Sequence, residues 1–188
     1  MEPPVLDEVD GPHVRLLPRG ADAFVVSSYE AHHQELFGFL ARATRDQTVA
    51  EDLLQESFLR LTSEARAGRA PVQVRGWLFR VASNLAISRS RRQTTATTWL
   101  GRYGQSEHDG LVGESPEANV MRRERTGTIE RALGRLPADA RLALLLSSQG
   151  FHGDEIAAAI GRSHAATRTL LTRARIQLRQ DLAGEDLR

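Results

Sequence analysis

A basic helix–turn–helix pattern near the C-terminus is the sharpest chemical signal in the sequence. Asp154 is predicted to cap a short helix, Gly161 to supply the positive φ of a turn, and Ser163 to cap a longer helix. The exposed residues expected to make contacts here are Arg162, His164, Arg168, Thr169, Thr172, Arg173 and Arg175. Arg168 could make a bidentate contact with guanine, whereas the other arginines suit phosphates. The pattern favours DNA binding; the alternative is a helical hairpin with a solvated basic face.

A second basic face lies on a helix predicted from Val74 to about Arg92. The candidate contact residues on this helix are Arg75, Phe79, Arg80, Asn84, Ser88, Arg91 and Arg92. Most of the polar ones recur at helical spacing and therefore share one side of the helix. Arginine and aromatic side chains together suit unpaired bases, through phosphate contact and stacking. The alternative is a structural amphipathic helix in which Trp77 and Phe79 both belong to the core.

Acidic and amide side chains cluster on another predicted helix, from about Thr48 to Ala65. Asp52, Gln55 and Glu56 lie on a side away from its apolar stripe. Paired carboxylates at helical spacing can serve acid–base catalysis or metal binding, but no His or third ligand is placed to join them. A charged docking face is the favoured interpretation. The sequence predicts no catalytic residue, no metal site, no cofactor and no enzymatic activity.

Charge is segregated along the 188 residues, although the formal net charge is only +1. Every basic residue is Arg, and the stretches 71–102 and 161–180 contain arginines but no acid. This asymmetry indicates nucleic acid contacted at two separate places. The absence of Cys excludes disulfides and thiolate metal sites. The sequence contains neither an apolar run of membrane-spanning length nor a secretory signal, so a cytoplasmic protein without membrane insertion is expected.

Hydrophobic periodicity predicts an all-α protein with two small helical domains. The predicted organisation is a flexible leader over 1–21, a first domain over 22–93, a flexible linker over 94–115 and a second domain over 116–183. Ser115 and Pro116 form a typical helix start for the second domain. Each domain is small and must depend on apolar packing between its helices.

Three segments, in order along the chain, resemble bacterial RNA polymerase sigma factors of the extracytoplasmic-function group. Residues 50–61 read AEDLLQESFLRL and residues 75–92 read RGWLFRVASNLAISRSRR, and both are similar to region two of these factors. Residues 136–141, which read LPADAR, and the helix–turn–helix are similar to region four. The resemblance covers most of the chain and is specific because all three pieces occur in the family's order.

The resemblance implies a dissociable sigma factor that binds core RNA polymerase, recognises the minus-ten and minus-thirty-five promoter elements and promotes DNA melting. In this family the acidic helix docks on the clamp helices of the β′ subunit, and region four also binds the β flap. The basic third helix captures the melted minus-ten strand, with Asn84 as the first candidate for a base contact. The loop over 63–74 would hold a flipped base, and the last helix reads the minus-thirty-five duplex. An anti-sigma partner is also expected.

The last helix departs from the family's usual pattern. Thr167 stands where an apolar anchor is common, and Leu170 stands where a basic residue is common. The alternative function is a polymerase-independent helix–turn–helix regulator of transcription. That alternative explains residues 154–175 but leaves the acidic face and the basic third helix unused.

Overall fold

The computed structural model describes residues 13–14, 18–100 and 120–185, and most of them are helical. The helices are α1 Pro18–Thr44, α2 Gln47–Arg66, α3 Val74–Leu100, α4 Val120–Gly134, α5 Ala138–Ser148, α6 Gly153–Ile160 and α7 His164–Glu185. Within the described residues, the only strands are β1 His13–Val14 and β2 Ala70–Pro71, which pair antiparallel. The all-α prediction is confirmed, with this two-residue pairing as an addition that no sequence pattern indicated.

Helix limits differ from the predictions mainly around the linker. The helix α3 continues to Leu100 instead of ending near Arg92, so the first residues of the predicted linker are helical. The helix start expected at Ser115 and Pro116 lies outside the described residues, and α4 is observed from Val120. The fold of two small helical domains is confirmed, whereas the bounds given for each domain stay predictions. We refer to α1–α3 as the N-terminal half and to α4–α7 as the C-terminal half.

Capping side chains fix several of the helix ends. Asp46 precedes α2, and its Oδ1 accepts a hydrogen bond of 3.0 Å from the Val49 amide. Ser163 precedes α7 as predicted, and its Oγ accepts from the Ala166 amide at 3.3 Å. The cap predicted at Asp154 is wrong, because α6 begins at Gly153, so Asp154 lies within the first turn and His152 is the N-cap residue.

The start of α6 uses a carboxylate that reaches back along the chain. The Glu155 side chain accepts a hydrogen bond of 2.7 Å from the amide of His152, the residue before the helix. This contact satisfies an amide that has no partner within the helix. The other end of α6 is as predicted, since Gly161 adopts a left-handed backbone with φ of 65°.

Apolar side chains from both halves form one continuous core. Its fully buried members include Leu36, Phe39, Leu40, Leu61, Leu78, Phe79, Leu142, Leu146, Ile156 and Ile160. The helix α3 packs against α1 and α2 on one side and against α5 and α6 on the other. The two halves therefore bury apolar surface on each other and not only within themselves.

Phe79 lies inside this core, so the prediction that it faces solvent for base stacking is wrong. Its side chain is fully buried, and its ring centroid lies 5.0 Å from that of Phe39 and 5.3 Å from that of Phe151. Trp77, on the same helix, is also buried. The physical reason is that α3 is covered on two sides, by α1 and by the segment that precedes α6. Both aromatic residues therefore belong to the core, as the alternative interpretation of this helix predicts.

An ion pair between α1 and α3 lies at the edge of the core. The Arg75 guanidinium donates to both carboxylate oxygens of Glu35, with Nη2 to Oε1 at 2.6 Å and Nε to Oε2 at 3.1 Å. The hydrogen bonds from Arg75 lower the pKa of Glu35 below its ordinary value, although partial burial opposes the shift. The same pairing raises the pKa of Arg75. Both side chains are thereby held in one geometry.

Removing the cap of α2 should destabilise the protein measurably. Replacement of Asp46 by Ala leaves the Val49 amide without its acceptor, and we expect a loss of about 1 kcal/mol in the free energy of unfolding. Asp46→Asn retains a side-chain oxygen and should lose much less. Urea denaturation followed by circular dichroism measures both, and equal losses for the two variants would contradict the capping role.

The Glu35–Arg75 pair should make stability depend on acid pH. Because the pKa of Glu35 is lowered from 4.5 in the folded chain, the pair stabilises the folded state above that pH. The stabilisation is lost as the pH falls through the folded-state pKa. Wild-type protein should therefore lose more free energy of unfolding between about pH 6 and pH 3 than Glu35→Gln.

The matched control for this pH dependence is Asp22→Asn. Asp22 pairs with Arg66 at 3.0 Å, but both side chains are about two-thirds exposed, at 68% and 65%. Since solvent screens such a pair, this variant should follow the wild-type pH profile closely. A Glu35→Gln profile that also matches the wild type would refute the assignment.

Candidate nucleic-acid interface

The outward face of α7 carries the basic residues that the sequence predicted there. All seven predicted contact residues are exposed: Arg162, His164, Arg168, Thr169, Thr172, Arg173 and Arg175. The hydroxyls of Thr169 and Thr172 donate to the carbonyls of Ala165 and Arg168 in their own helix, at 3.1 and 3.0 Å. Their oxygens can still accept hydrogen bonds on the outer side. The face therefore offers cationic donors and neutral acceptors together.

Two of these arginines are positioned by α5. Arg162 forms an ion pair with Asp139 at the start of α5. The Nη2 atom of Arg175 donates to the Ser147 hydroxyl at 3.0 Å. Such contacts restrict the rotamers of long side chains and lower the entropy lost when they meet a phosphate. No local sequence pattern indicates these partners, because they lie 23 and 28 residues away along the chain.

The unusual residue Thr167 fills the inner side of α7 without leaving a polar atom unpaired. Its side chain is fully buried, and its hydroxyl donates to the Ser163 carbonyl at 3.0 Å. Leu171 and Ala174 continue the buried stripe one and two turns later. Thr167 therefore replaces an apolar anchor at little cost, since burying a hydroxyl is costly only when it lacks a hydrogen bond. Leu170 is half-buried and packs against the core.

The ring of His164 rests directly on Gly153, the first residue of α6. A Cβ atom at position 153 would lie 2.8 Å from Nε2 of His164, which is too close for a normal contact. The glycine thus leaves the space that this histidine occupies at the start of α7. The role of Gly153 was not predicted, because no local pattern shows which side chain will cover a glycine.

The basic face of α3 is more covered than the face of α7. Arg80, Asn84 and Ser88 are half-buried, whereas Arg91 and Arg92 are exposed. The Nε atom of Arg80 is buried and has no hydrogen-bond partner among the described residues, and burial lowers the pKa of this side chain. A buried donor without an acceptor is costly, so a ligand that supplies one would be favoured. Arg75 is also half-buried, and it is engaged by Glu35.

The loop between α2 and α3 is supported by the segment that precedes α1. Gly68 turns this loop with φ of 74°, and Ala70–Pro71 then pair with His13–Val14. Ala70 is fully buried, whereas Val72 is 47% exposed. The sequence predicts a flexible leader over residues 1–21. The pairing places two of them on the loop that the resemblance assigns to a flipped base.

The acidic face of α2 is exposed to solvent. Asp52 and Gln55 are exposed, Glu56 is half-exposed, and Leu59 on the same side is 65% exposed. Glu56 pairs with Arg60 at 2.9 Å in its own helix. An exposed leucine beside carboxylates is typical of small protein-docking surfaces, which combine an apolar centre with a charged rim.

Residues 13–14, 18–100 and 120–185 were also compared with the requirements of a metal site and of a membrane-spanning helix. These residues contain no group of three or more His, Asp or Glu side chains arranged to hold a metal ion. None of the described helices combines the length and apolar character that a membrane span requires.

Comparison with known protein families matches both halves of the chain. The Sigma-70 region 2 family model matches residues 28–96, and the Sigma-70 region 4 model matches residues 126–178. Together they cover more than half of the chain. The first includes α2 and most of α3, and the second includes the helix–turn–helix. These are the segments that carried the resemblance in the sequence.

Curated relatives with similar sequences are sigma factors. The chain is 27% identical over 161 residues to the RNA polymerase sigma factor YlaC of Bacillus subtilis, an alignment that covers 82% of this chain and 89% of the relative. It is 28% identical over 164 residues to the ECF sigma factor SigX of the same organism, covering 85% and 84%. It is 35% identical over 158 residues to the ECF sigma factor SigJ of Mycobacterium tuberculosis, covering 80% of this chain and 48% of the relative.

The fold matches a solved structure of the same kind of protein. The sigma factor RpoE of Bartonella quintana, crystallised with the anti-sigma factor NepR, superimposes with a TM-score of 0.64. The match covers 88% of this chain and 98% of that chain at 20% sequence identity, so it supports the fold. On the family matches to both conserved regions, this chain belongs to the sigma-70 family and is an RNA polymerase sigma factor of the extracytoplasmic-function (ECF) group.

Proposed function

We propose that this sigma factor directs core RNA polymerase to promoters through three surfaces on three helices. The acidic face of α2 docks on polymerase, α3 and the loop before it hold the melted minus-ten strand, and α7 reads the minus-thirty-five duplex. The observation that carries the proposal is the exposed face of α2, where Leu59 follows Asp52 and Glu56 on the same side of the helix. A DNA-binding regulator that acts without polymerase has no use for such a surface.

The α2 surface suits a basic partner with an apolar centre. Asp52, Gln55 and Glu56 supply negative charge and hydrogen-bond acceptors around Leu59, whose burial would provide most of the docking energy. The clamp helices of the polymerase β′ subunit are the proposed partner, and the β flap is the proposed partner of the C-terminal half. Arg89 lies 3.9 Å from Asp52 and partly screens its charge, so a competing cation on polymerase must displace a weak pair.

The minus-ten strand is proposed to lie along the polar side of α3. Asn84 offers an amide donor and acceptor for a base edge, and Arg80 and Ser88 lie one turn to either side on the same face. Arg91 and Arg92 extend this face toward phosphates. Phe79 is excluded as a solvent-facing stacking residue because its ring is buried. Arg75 remains a candidate contact once it is released from Glu35.

The minus-thirty-five duplex is proposed to receive the start of α7 in its major groove. Arg168 is the candidate for a bidentate contact to guanine, and His164 and Thr169 flank it on the exposed side. Arg162, Arg173 and Arg175 are proposed phosphate contacts. Their charge supplies affinity, whereas Arg168 supplies sequence preference.

The proposed partners follow from these surfaces and from the relatives. Core polymerase and promoter DNA are the principal partners, and polymerase performs the nucleotide chemistry, so this chain acts without a catalytic centre. An anti-sigma protein is a further proposed partner, because the structurally similar RpoE was solved in complex with one. The proposed place of action is the cytoplasm, where polymerase meets the chromosome.

Run-off transcription with purified core polymerase tests the proposal directly. We expect transcripts from a cognate promoter only when both core enzyme and this protein are present. The alternative, a polymerase-independent regulator, predicts that the protein binds its duplex tightly alone and does not co-elute with core. Failure of core binding under these conditions would overturn the proposal.

Charge removal on the α2 surface should weaken polymerase binding without unfolding the chain. The double variant Asp52→Ala and Glu56→Ala removes two carboxylates from the proposed docking face, and we expect at least a tenfold higher Kd for core, from about 1 kcal/mol per contact. Fluorescence titration with core polymerase measures the Kd. The matched control, Glu30→Ala with Glu64→Ala, removes the same charge elsewhere and should bind nearly as wild type.

Removing Arg168 should relax the DNA sequence preference at one position. We expect Arg168→Ala to lose about 1–3 kcal/mol on the cognate minus-thirty-five sequence and little on a sequence mutated at the contacted base pair. Competition binding by the holoenzyme to a set of single-substituted promoters measures this difference. Arg179→Ala, on the same helix but outside the proposed contacts, is the control. A uniform loss across all sequences would instead indicate a phosphate contact.

A further inference from the structure

We propose that the segment before α1 positions the loop between α2 and α3 and thereby sets the base selectivity of this loop toward the melted minus-ten strand. This proposal rests on the proposed function, which assigns the unpaired strand to α3 and to this loop. The observation that carries it is the antiparallel ladder between His13–Val14 and Ala70–Pro71. The groups that do the positioning are backbone atoms of β1.

A proline determines which residues of this ladder are hydrogen-bonded. His13 faces Pro71, and Val14 faces Ala70. In an antiparallel ladder, facing residues alternate between pairs that exchange both N–H···O bonds and pairs that exchange neither. Because Pro71 has no N–H to donate, Val14 and Ala70 are the pair that exchanges both bonds. The amide of Val14 therefore bonds to the loop, whereas the amide of His13 points away from it.

The helices α2 and α3 hold the two ends of the loop. At its start, the amide of Arg69 donates to the carbonyl of Glu64 at 2.8 Å, and the side chains of these two residues form an ion pair. At its end, the carbonyl of Gln73 accepts from the amide of Trp77 at 3.0 Å. The two residues of β2 lie between these points and pair with β1. The middle of the loop is therefore the part whose conformation β1 determines.

A small apolar cluster supports the ladder, because a two-stranded pairing alone is only marginally stable in water. Ala70 of the loop is fully buried together with Ala21 of α1 and Ala65 of α2. Phe24 and Val25 of α1 pack against these three alanines. The small side chains let the loop lie close to both helices, so the ladder forms against a surface that is already fixed.

The covalent link between β1 and α1 is short. Three residues separate Val14 from Pro18, the first residue of α1, so the Cα atoms of these two residues lie no more than about 14 Å apart. Because α1 belongs to the core, this link keeps β1 at a high effective concentration beside the loop. An ion pair of 3.0 Å between Asp22 and Arg66 also joins the start of α1 to the end of α2.

The two residues that follow the ladder are available to an unstacked base. Val72 is 47% exposed, and Gln73 is exposed as well. Val72 offers apolar surface to the plane of a base, and the amide of Gln73 can donate and accept hydrogen bonds at a base edge. Since hydrogen bonds weaken steeply with poor alignment, a fixed β2 holds this amide in one geometry and favours one base over the others.

The test moves a proline along β1 in the full chain. Val14→Pro removes the N–H that bonds to Ala70. The matched control, His13→Pro, introduces the same ring one residue earlier, where the ladder does not use the N–H. Both positions precede α1, so each variant should keep the helical content of the wild type, which circular dichroism verifies.

Hydrogen exchange of the free protein, followed by nuclear magnetic resonance, measures the ladder itself. Exchange of the Ala70 amide should be about fivefold faster in Val14→Pro than in the wild type, because the paired strand is lost. The exchange rate in His13→Pro should match the wild type. Equal rates in all three proteins would show that β1 does not hold the loop, and the proposal would fall.

Base selectivity is measured with the holoenzyme and forked promoter fragments whose non-template minus-ten strand is unpaired, each position being changed in turn to the other bases. We expect the wild type to favour one base at the position held by the loop, and Val14→Pro to lower that preference about fivefold. Preferences at the other minus-ten positions and the Kd for core polymerase should not change. His13→Pro should match the wild type throughout.

Three further results would overturn the proposal: an unchanged base preference in Val14→Pro, an equal loss of preference in His13→Pro, or a loss spread evenly over all minus-ten positions. Failure of the proposed function gives a different result. In that case the wild-type holoenzyme itself would show no base preference at any unpaired position, while exchange of the Ala70 amide would still distinguish the two variants.

Discussion

Burial of α3 between the two halves of the chain is the constraint on which the rest of the structure depends. The helix meets α1 and α2 on one side and α5 and α6 on the other, and the ring of Phe79 lies between Phe39 and Phe151 where the halves join. Buried apolar side chains of both halves meet in one core around this helix. The shared core therefore decides which side of α3 remains free for other contacts, and it leaves the polar side only half exposed.

Arginine suits the contacts between the two halves in a way that lysine would not. The Cζ atom of Arg75 lies 4.9 Å from the ring centroid of Phe79 and 5.1 Å from that of Phe151, and the guanidinium still directs N–H donors to Glu35 and to Gln149. Arg141 of α5 donates through its Nε atom to the carbonyl oxygen of Ala43, in the last turn of α1, at 2.9 Å. The arginine-only composition, which nucleic-acid binding alone could account for in the sequence, also serves contacts within the protein.

Sequence patterns predicted the local structure well because it is determined by neighbouring residues. The turn at Gly161, the cap at Ser163 and the exposed face of α7 depend on short-range rules, and the structure confirms each of them. Phe79 was misplaced because helical periodicity shows that a face is apolar or mixed but does not show how many neighbours will cover the helix. The partners of Arg75 and Arg162 were missed because they are distant along the chain.

The two proposed DNA-binding faces are unequally exposed. All seven candidate residues on α7 and in the turn before it are exposed, so the proposed duplex face is open to solvent. On α3, by contrast, Arg75 is committed to Glu35 and Gln149, and Phe79 is covered by Phe151. The proposed duplex contacts therefore need less rearrangement of side chains than the proposed contacts to the melted strand. Strand capture through Arg75 therefore requires a local change on α3, since the carboxylate of Glu35, in the same half of the chain, must first release the guanidinium.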